Sequence, residues 1–502
     1  MADTPAGSEM PDISSNSEPK AEGPASFVPT STPTPPSFAT KLFYGAGSVA
    51  FGIKDQGFGV LLMLFYNQVL GLPAGQVGLA VMIALIVDAL LDPTIGYLSD
   101  NLRSRWGRRH PFMYAAAVPI AGTYLLLWNP PAGLSHGQLF VYLTGVSILV
   151  RACISCFEIP SSAQVAELTT SYDQRTNMLS YRYFFGWVTS LTMSILAFSV
   201  ILKPDATHKV GVLNPAGYSR YSWIAAGLML GAILVSAIGT HRNIKTYINL
   251  PARLKMTARQ IAQEIITTLS ERAFLVMAAA GVFGATAAGL GGALITYFRT
   301  YFFDLTGNQI SILLSANFIS VAVAVFLAPG LSKRFGKKRV SIAASVASIL
   351  IGPMPVVLRL LHWGPENGTV AILPLLFGFT TVTAGLGIIT NILMSSMIAD
   401  VVEHSQLKTG RRNEGLFFSA NAFILKCVSG IGLFFGGLLL DIVGFPQDAH
   451  PGPETHAALS KLATLEIPLT VALYFLGVAC VAAYPISRSI HQANLNHLEA
   501  AE

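Results

Sequence analysis

From Leu42 onward the chain alternates between long apolar runs and short polar breaks. A helix that crosses the hydrocarbon of a bilayer needs ~20 mostly apolar residues. Runs of that kind fall near 42–70, 74–98, 112–128, 139–165, 180–202 and 222–240. A second set falls near 273–296, 310–329, 340–360, 369–397, 416–443 and 465–485. The pattern predicts an all-α membrane protein with twelve transmembrane helices in two six-helix bundles.

The breaks alternate in charge. The break after span 2 carries Arg103, Arg105, Arg108 and Arg109, and the one after span 8 carries Lys333, Arg334, Lys337, Lys338 and Arg339. The long connection after span 6 is also basic, whereas those after spans 3, 7, 9 and 11 are poor in Lys and Arg. The break after span 5, with Lys203, Lys209 and Arg220, fits less cleanly. Basic loops stay on the cytoplasmic side, so both termini are expected in the cytoplasm. Residues 1–40, rich in Pro, Ser and Thr, have no apolar core of a signal peptide and read as a disordered cytoplasmic tail. The expected organisation is a first bundle over 41–240, a cytoplasmic middle loop over 241–272, a second bundle over 273–486 and a short cytoplasmic tail over 487–502.

Composition agrees. Of 502 residues only 12% are charged, about half the ~25% of soluble domains, so an ordinary soluble enzyme is excluded. The formal charge of +6 reads as basic loops facing the cytoplasm, not as a nucleic-acid surface. No H-E-x-x-H, G-x-S-x-G or P-loop motif is present, and no enzyme or cofactor is expected. Cys153 and Cys156 form a C-x-x-C inside an apolar run, where packing is the expected role.

An internal repeat supports two related halves. Gly96-Tyr97-Leu98-Ser99 leading to Arg105-Trp106-Gly107-Arg108-Arg109 resembles Gly330-Leu331-Ser332 leading to Arg334-Phe335-Gly336-Lys337-Lys338. Two halves rocking around a central site are what a transporter needs.

Ionisable residues inside spans cost ~2.5–3.5 kcal/mol each to insert, so each is a candidate for function. Span 1 holds Lys54 and Asp55, and span 2 holds Asp88 and Asp92. The i,i+4 spacing of the two aspartates sets both carboxylates on one helical face. In low dielectric such a pair needs a proton on one member or a cation between them. Structural carboxylates bonded to neighbouring helices are the alternative. Span 4 holds Arg151 and Glu158, span 5 begins with Tyr181-Arg182-Tyr183, and span 11 holds Lys426. Arg182 and Lys426 have a second reading as counter-ions for the carboxylates, and Arg151, nearer the entry of its span, reads as a structural ion-pair partner. Arg105, Arg108 and Arg109, with Arg334, Lys337 and Lys338, are expected near the joint between the halves. There they would pair with Asp100, Asp400, Glu403 or Glu414 and hold the cytoplasmic side shut; fixing topology alone is the plainer role.

These residues resemble a known family. Lys41-Leu42-Phe43-Tyr44-Gly45-Ala46-Gly47, Lys54-Asp55, Asp88-Ala89-x-x-Asp92-Pro93-x-x-Gly96, Arg103-Ser104-Arg105-Trp106-Gly107-Arg108-Arg109-x-Pro111, Glu158-Ile159-Pro160, Tyr181-Arg182-Tyr183-Phe184, Ala399-Asp400 and the surroundings of Lys426 are similar to the glycoside–pentoside–hexuronide:cation symporters. That family is a branch of the major facilitator superfamily typified by the bacterial melibiose carrier, and the resemblance spans roughly 41–485. It implies the major facilitator fold and cation-coupled symport of a sugar, glycoside or hexuronide. It implies a cation-coupling site of Asp88, Asp92, Ser155 and Lys426, with Asp88 and Asp92 as metal ligands only if the ion is Na+. It also implies a substrate site of Lys54, Asp55, Glu158 and Arg182, and Asn391 stands where the family has an aromatic.

The sequence departs from the family in places. Leu91 stands where sodium-coupled members carry an asparagine oxygen, which leaves H+ or Na+ open. Ser162 replaces a sugar-stacking tryptophan, and Glu158 replaces an aspartate. Two other readings remain open: symport of an amphiphile such as a lysophospholipid, as in the family's vertebrate branch, or a non-transporting membrane sensor on a transporter fold. The expected partners are a small-molecule substrate and the bilayer, for a monomer in the bacterial inner membrane.

Overall fold

The computed structural model describes residues 36–169, 172–242, 270–409 and 414–485. Among them are helices and turns but no strand. Twelve helices are long and apolar enough to cross a membrane. In the first half they are α1 (Phe38–Val69), α2 (Ala74–Asn101), α3 (His110–Trp128), α4 (His136–Ala163), α5 (Asn177–Ile201) and α6 (Pro215–His241). In the second they are α7 (Arg272–Phe302), α8 (Gly307–Phe335), α9 (Lys337–Leu360), α10 (Ile372–Leu407), α11 (Ala420–Ile442) and α12 (Pro453–Ala482). Most of the expected tails and middle loop, and the side chains of Glu403 and Glu414, lie outside the described residues.

Helices dominate because hydrocarbon offers no partner for an unpaired peptide group. Their ends run past the apolar stretches. α12 starts at Pro453, well before 465, because its first turns carry Glu454, His456 and Lys461 and so lack the hydrophobic signature. His456 ties those turns to Asp304 at 3.0 Å. α1 runs on through Lys54-Asp55 and widens into π turns at Gly57–Leu61 and Phe65–Val69.

The halves repeat each other in packing. α1 lies on α5 and α6, α2 on α4, and α3 on α4 and α6. Correspondingly α7 lies on α11 and α12, α8 on α10, and α9 on α10 and α12. The sequence repeat has a matching local geometry. Ser99 donates back to the Gly96 carbonyl at 3.0 Å and Ser332 to the Pro329 carbonyl at 3.1 Å. Each motif then turns at a glycine of positive φ, Gly107 at 79° and Gly336 at 85°, a conformation that side chains with a Cβ avoid.

The interior of the first half is filled with aromatic rings. Trp128 stacks on Tyr218 with ring centres 5.8 Å apart, and the Tyr124 and Tyr221 hydroxyls meet at 2.9 Å.

The two halves join along α2 with α11 and α5 with α8, and the hydrogen bonds between them gather at the end away from the chain termini. The Asp441 carboxylate on α11 accepts the Ala74 and Gly75 amides at 2.9 and 2.7 Å, capping the first turn of α2. The Asn67 side chain accepts the Tyr297 hydroxyl at 2.8 Å, Gln68 donates to the Pro446 carbonyl at 3.2 Å, and Ser311 donates to the Ile195 carbonyl at 3.1 Å. Glycines allow the close approach. A Cβ on Gly437 would stand 2.2 Å from the Ala74 carbonyl oxygen, and one on Gly78 would stand 2.8 Å from the Phe434 Cα. Toward the termini the helices part: a Cβ on Gly96, on the same stripe of α2, would touch only Ile159 of its own half. Phe184 and Trp187 on α5 and Phe326 on α8 are exposed there, below the α5–α8 contact.

Candidate functional site

α2 delivers Asp88 and Asp92 one turn apart, at the level where its contact with α11 ends. Asp88 is only 4% exposed. α4 crosses behind them and places Arg151 and Ser155 one turn apart on the facing stripe. Across the seam, α11 contributes Lys426. Its ammonium lies 3.1 Å from Asp88 Oδ2 and 2.5 Å from Asp92 Oδ2. Arg151 completes the group with Nη1 3.4 Å from Asp88 Oδ2 and its guanidinium 4.5 Å from the centre of the Phe58 ring.

The place between two adjacent carboxylates, which the spacing assigned to a proton or a cation, is taken by the Lys426 ammonium. Two carboxylates and two cations balance in charge, as buried ions must. Ser155 adds a constraint. Its Oγ is 2.7 Å from Asp88 Oδ1 and 2.8 Å from Asp92 Oδ1. A hydroxyl has one proton to give. The hydroxyl therefore bridges the two carboxylates and donates to one of them at a time.

Further along α4 lie Glu158 and Ser161. Arg182 on α5, 5% exposed, donates to Glu158 Oε1 at 2.5 Å and to Ser161 Oγ at 2.7 Å, and its guanidinium lies 5.3 Å from the centre of the Tyr44 ring. Glu158 Oε2 has no hydrogen-bond partner. On α1 the Lys54 ammonium meets Asp55 at 3.2 Å and the Phe51 ring at 4.2 Å, and the Asp55 side chain is 61% exposed. Asn391 on α10 lies apart from these residues and lines a cavity of about 950 Å3 within the second half, which Lys426 also borders.

The basic loops pair inside their own halves. Arg109 reaches Asp100 at 3.3 Å and Glu167 at 3.1 Å, and Arg108 reaches Glu167 at 2.9 Å. Burial pushes the Arg109 guanidinium below its usual range, against the pull of Glu167 and Asp100. Arg105 is exposed beside Trp106. Lys337 meets Asp400 at 2.6 Å, and Lys338 donates to the Tyr484 carbonyl at 2.9 Å. Glu167, Asp441, Asn67 and Gln68 escaped the sequence reading, because each sits near the end of an apolar run and looks like an ordinary boundary residue. Arg151 was read as a structural ion-pair residue; its partner is Asp88 itself, inside the carboxylate cluster.

Among the described residues, no group of three or more His, Cys, Asp or Glu is arranged to hold a metal ion. A Na+ at this site would therefore need oxygens beyond the two carboxylates, with Ser155 the nearest.

The chain is 26% identical to an uncharacterized symporter of Synechocystis over 93% of this chain and 97% of that protein. It is 24% identical to the isoprimeverose transporter of Lactiplantibacillus pentosus over 81% of each. It is 22% identical to the sodium-dependent lysophosphatidylcholine symporter 1 of Mus musculus over 92% of this chain and 88% of that one. Among solved structures, the nucleoside transporter NupG superposes with a TM-score of 0.57 at 15% identity, covering 88% of this chain and 99% of that one. A bacterial homologue of the human drug peptide transporters PepT1 and PepT2 superposes with a TM-score of 0.61 at 12% identity, covering 92% of this chain and 99% of that one. These likenesses give the fold, that of the major facilitator transporters. The sequence model of the family described as MFS/sugar transport protein matches residues 43–488, and with twelve spanning helices in two repeated halves, the chain is an integral membrane transporter that belongs to that family.

Proposed function

We propose that the protein is a symporter that moves a sugar, glycoside or hexuronide together with H+ or Na+ by alternating access. The observation that carries this reading is Lys426. An ammonium from the second half is held by two carboxylates of the first, at the edge of the contact between the halves. A coupling ion that reaches Asp88 or Asp92 competes with that ammonium. Protonation removes the charge Lys426 binds, and Na+ takes its oxygens. Either event loosens the α2–α11 tether and couples ion arrival to the relative motion of the halves.

Substrate hydroxyls are received by Asp55, by the buried, unpartnered oxygen of Glu158 and by Arg182, with Lys54 beside them. Charged partners make the stronger hydrogen bonds to such hydroxyls. Asn391 approaches from the second half. The isoprimeverose transporter among the relatives supports a glycoside. In this reading the units are residues 41–240 and 273–486, the termini are cytoplasmic and the contacts around Asp441 close the outer face. The protein then rests open to the cytoplasm, as a monomer in a bacterial inner membrane, with Asp100, Arg105, Arg108 and Arg109 freed from the opposite half.

The test is uptake by proteoliposomes of labelled glycosides and hexuronides, driven by a pH gradient or by a Na+ gradient. Accumulation against a gradient that collapses with the driving ion supports the reading. A protein that binds glycosides but moves none, with either ion, would be a sensor instead.

A further inference from the structure

The second half holds a cavity of about 950 Å3 among α7, α9, α10, α11 and α12, and its walls are mainly apolar. That size lies at the upper end of ordinary small-molecule sites. The equivalent interior of the first half is filled by Tyr124, Trp128, Tyr218 and Tyr221. The difference starts in the sequence of α7. Gly281, Gly284, Ala285, Ala288 and Gly291 put small residues along the cavity wall, and a Cβ on Gly284 or Gly291 would meet nothing within 4 Å. Closely packed interiors do not leave such a space unfilled without cost.

At the end of the cavity away from the chain termini stands Arg299, beside Phe298, Phe303 and Leu313. No carboxylate and no hydrogen-bond acceptor meets its guanidinium among the described residues, in contrast to Arg109, Arg151 and Arg182. Arg299 stands one turn from the end of α7, half-buried among apolar side chains, and a cation so placed pairs with an anion or faces one that arrives. Lys426, Glu466 and Tyr474 also border the cavity, and one Glu466 oxygen accepts the Thr470 hydroxyl at 2.8 Å.

We infer that this cavity is a second ligand site, for an apolar organic anion: a hydrocarbon body filling the space along α7 and one carboxylate seated on Arg299. Lys426 and Asn391, which the proposed coupling and substrate sites use, border the same cavity, and the Arg299 seat lies among other side chains, Phe298, Phe303 and Leu313. A guanidinium matches a carboxylate in a two-pronged hydrogen bond, which a neutral ester cannot accept in the same way.

The experiment measures saturable binding of labelled laurate and of its methyl ester to the full-length protein in nanodiscs, with empty nanodiscs subtracted. The unaltered protein is expected to prefer laurate roughly tenfold, the worth of one charged hydrogen bond. Arg299→Gln should bring the two probes together while both still bind. Gly284→Leu and Gly291→Leu, which grow side chains into open space, should abolish binding of both, with melting temperature unchanged. Absence of saturable laurate binding overturns the inference. So does a preference that survives Arg299→Gln, or undiminished binding in both leucine variants.

Discussion

Lys426 and Asp92 meet across the seam between the halves, Nζ to Oδ2 at 2.5 Å, though they stand 334 positions apart in the chain. The same ammonium reaches Asp88 at 3.1 Å, so one side chain neutralises both members of the i,i+4 pair. Lys426→Gln leaves two adjacent carboxylates with only Arg151. The expected result is a loss of about 1.5–3 kcal/mol, the range for hydrogen bonds to charged groups, read as a lower melting temperature. Asp92→Asn in the same chain removes the unpaired charge and should restore part of that loss. The double-mutant cycle measures the coupling, and strictly additive effects would show that the contact does not tie the halves.

Ser155 touches both aspartates through one oxygen. Ser155→Ala removes that link, while Ser155→Thr keeps the hydroxyl. Uptake in Ser155→Ala should need roughly tenfold more of the driving ion at half-saturation, the equivalent of about one hydrogen bond to a charge. Ser155→Thr should stay within about twofold of the parent by the same measure. Equal ion dependence in all three proteins would take the hydroxyl out of the coupling site.

The twelve helices were legible in the sequence because the bilayer imposes length and apolarity on each one separately. Asp88, Asp92 and Lys426 were legible as candidates for the same reason: a charge inside an apolar run stands out. Which helix faces which does not show in a single run. Hence the spacing asked for a proton or a cation at the aspartates, and Lys426 stood beside Arg182 as a candidate counter-ion without anything in the sequence to choose between them. The basic loops were expected to pair with Asp100, Asp400, Glu403 or Glu414; Arg109 does reach Asp100 and Lys337 reaches Asp400, while Glu167, which holds Arg108 and Arg109 as well, was not named. Asp441 was invisible because its role depends on the amides of Ala74 and Gly75, far away in the chain.

Glu158 and Arg182 form a short pair, and one Glu158 oxygen stays without a partner. Glu158→Gln keeps the shape and removes the charge. If the pair receives substrate, substrate affinity should fall roughly tenfold or more, while ion dependence is retained. Arg182→Lys loses the fork that serves Glu158 and Ser161 together and should fall further. A fall in melting temperature with unchanged substrate affinity in both variants would make the pair a structural strut between α4 and α5.

Asp441 caps α2 from the opposite half, with two short bonds to backbone amides. Removing a capping carboxylate costs about 0.5–2 kcal/mol, and here the cost falls on only one of the two resting states. Asp441→Ala should therefore shift the balance by roughly 2- to 30-fold away from the state closed at that end. Thr296, buried on α7 near the same end, serves as a reporter: a cysteine there should be slow to label in the parent and faster with Asp441→Ala. Unchanged labelling would reduce the cap to a local contact.

Gly437 tests the same closure by sterics. Its Cα faces the Ala74 carbonyl so closely that a Cβ would stand 2.2 Å from the oxygen, and both partners are backbone, with no flexible end to yield. Gly437→Val must push α2 and α11 apart where the halves touch. It leaves the Lys426 contact further down α11 without a clash of its own. Valine is no worse a helix former than glycine, so the helix itself should still form. The expected result is fast labelling of a cysteine at position 296, well beyond that of Asp441→Ala, because an overlap cannot be relieved by rearranging hydrogen bonds. Gly227→Val, on α6 where an added Cβ meets nothing within 4 Å, serves as the control and should label like the parent. If Gly437→Val labels like Gly227→Val in a folded protein, the close approach of α2 and α11 is not what seals that end.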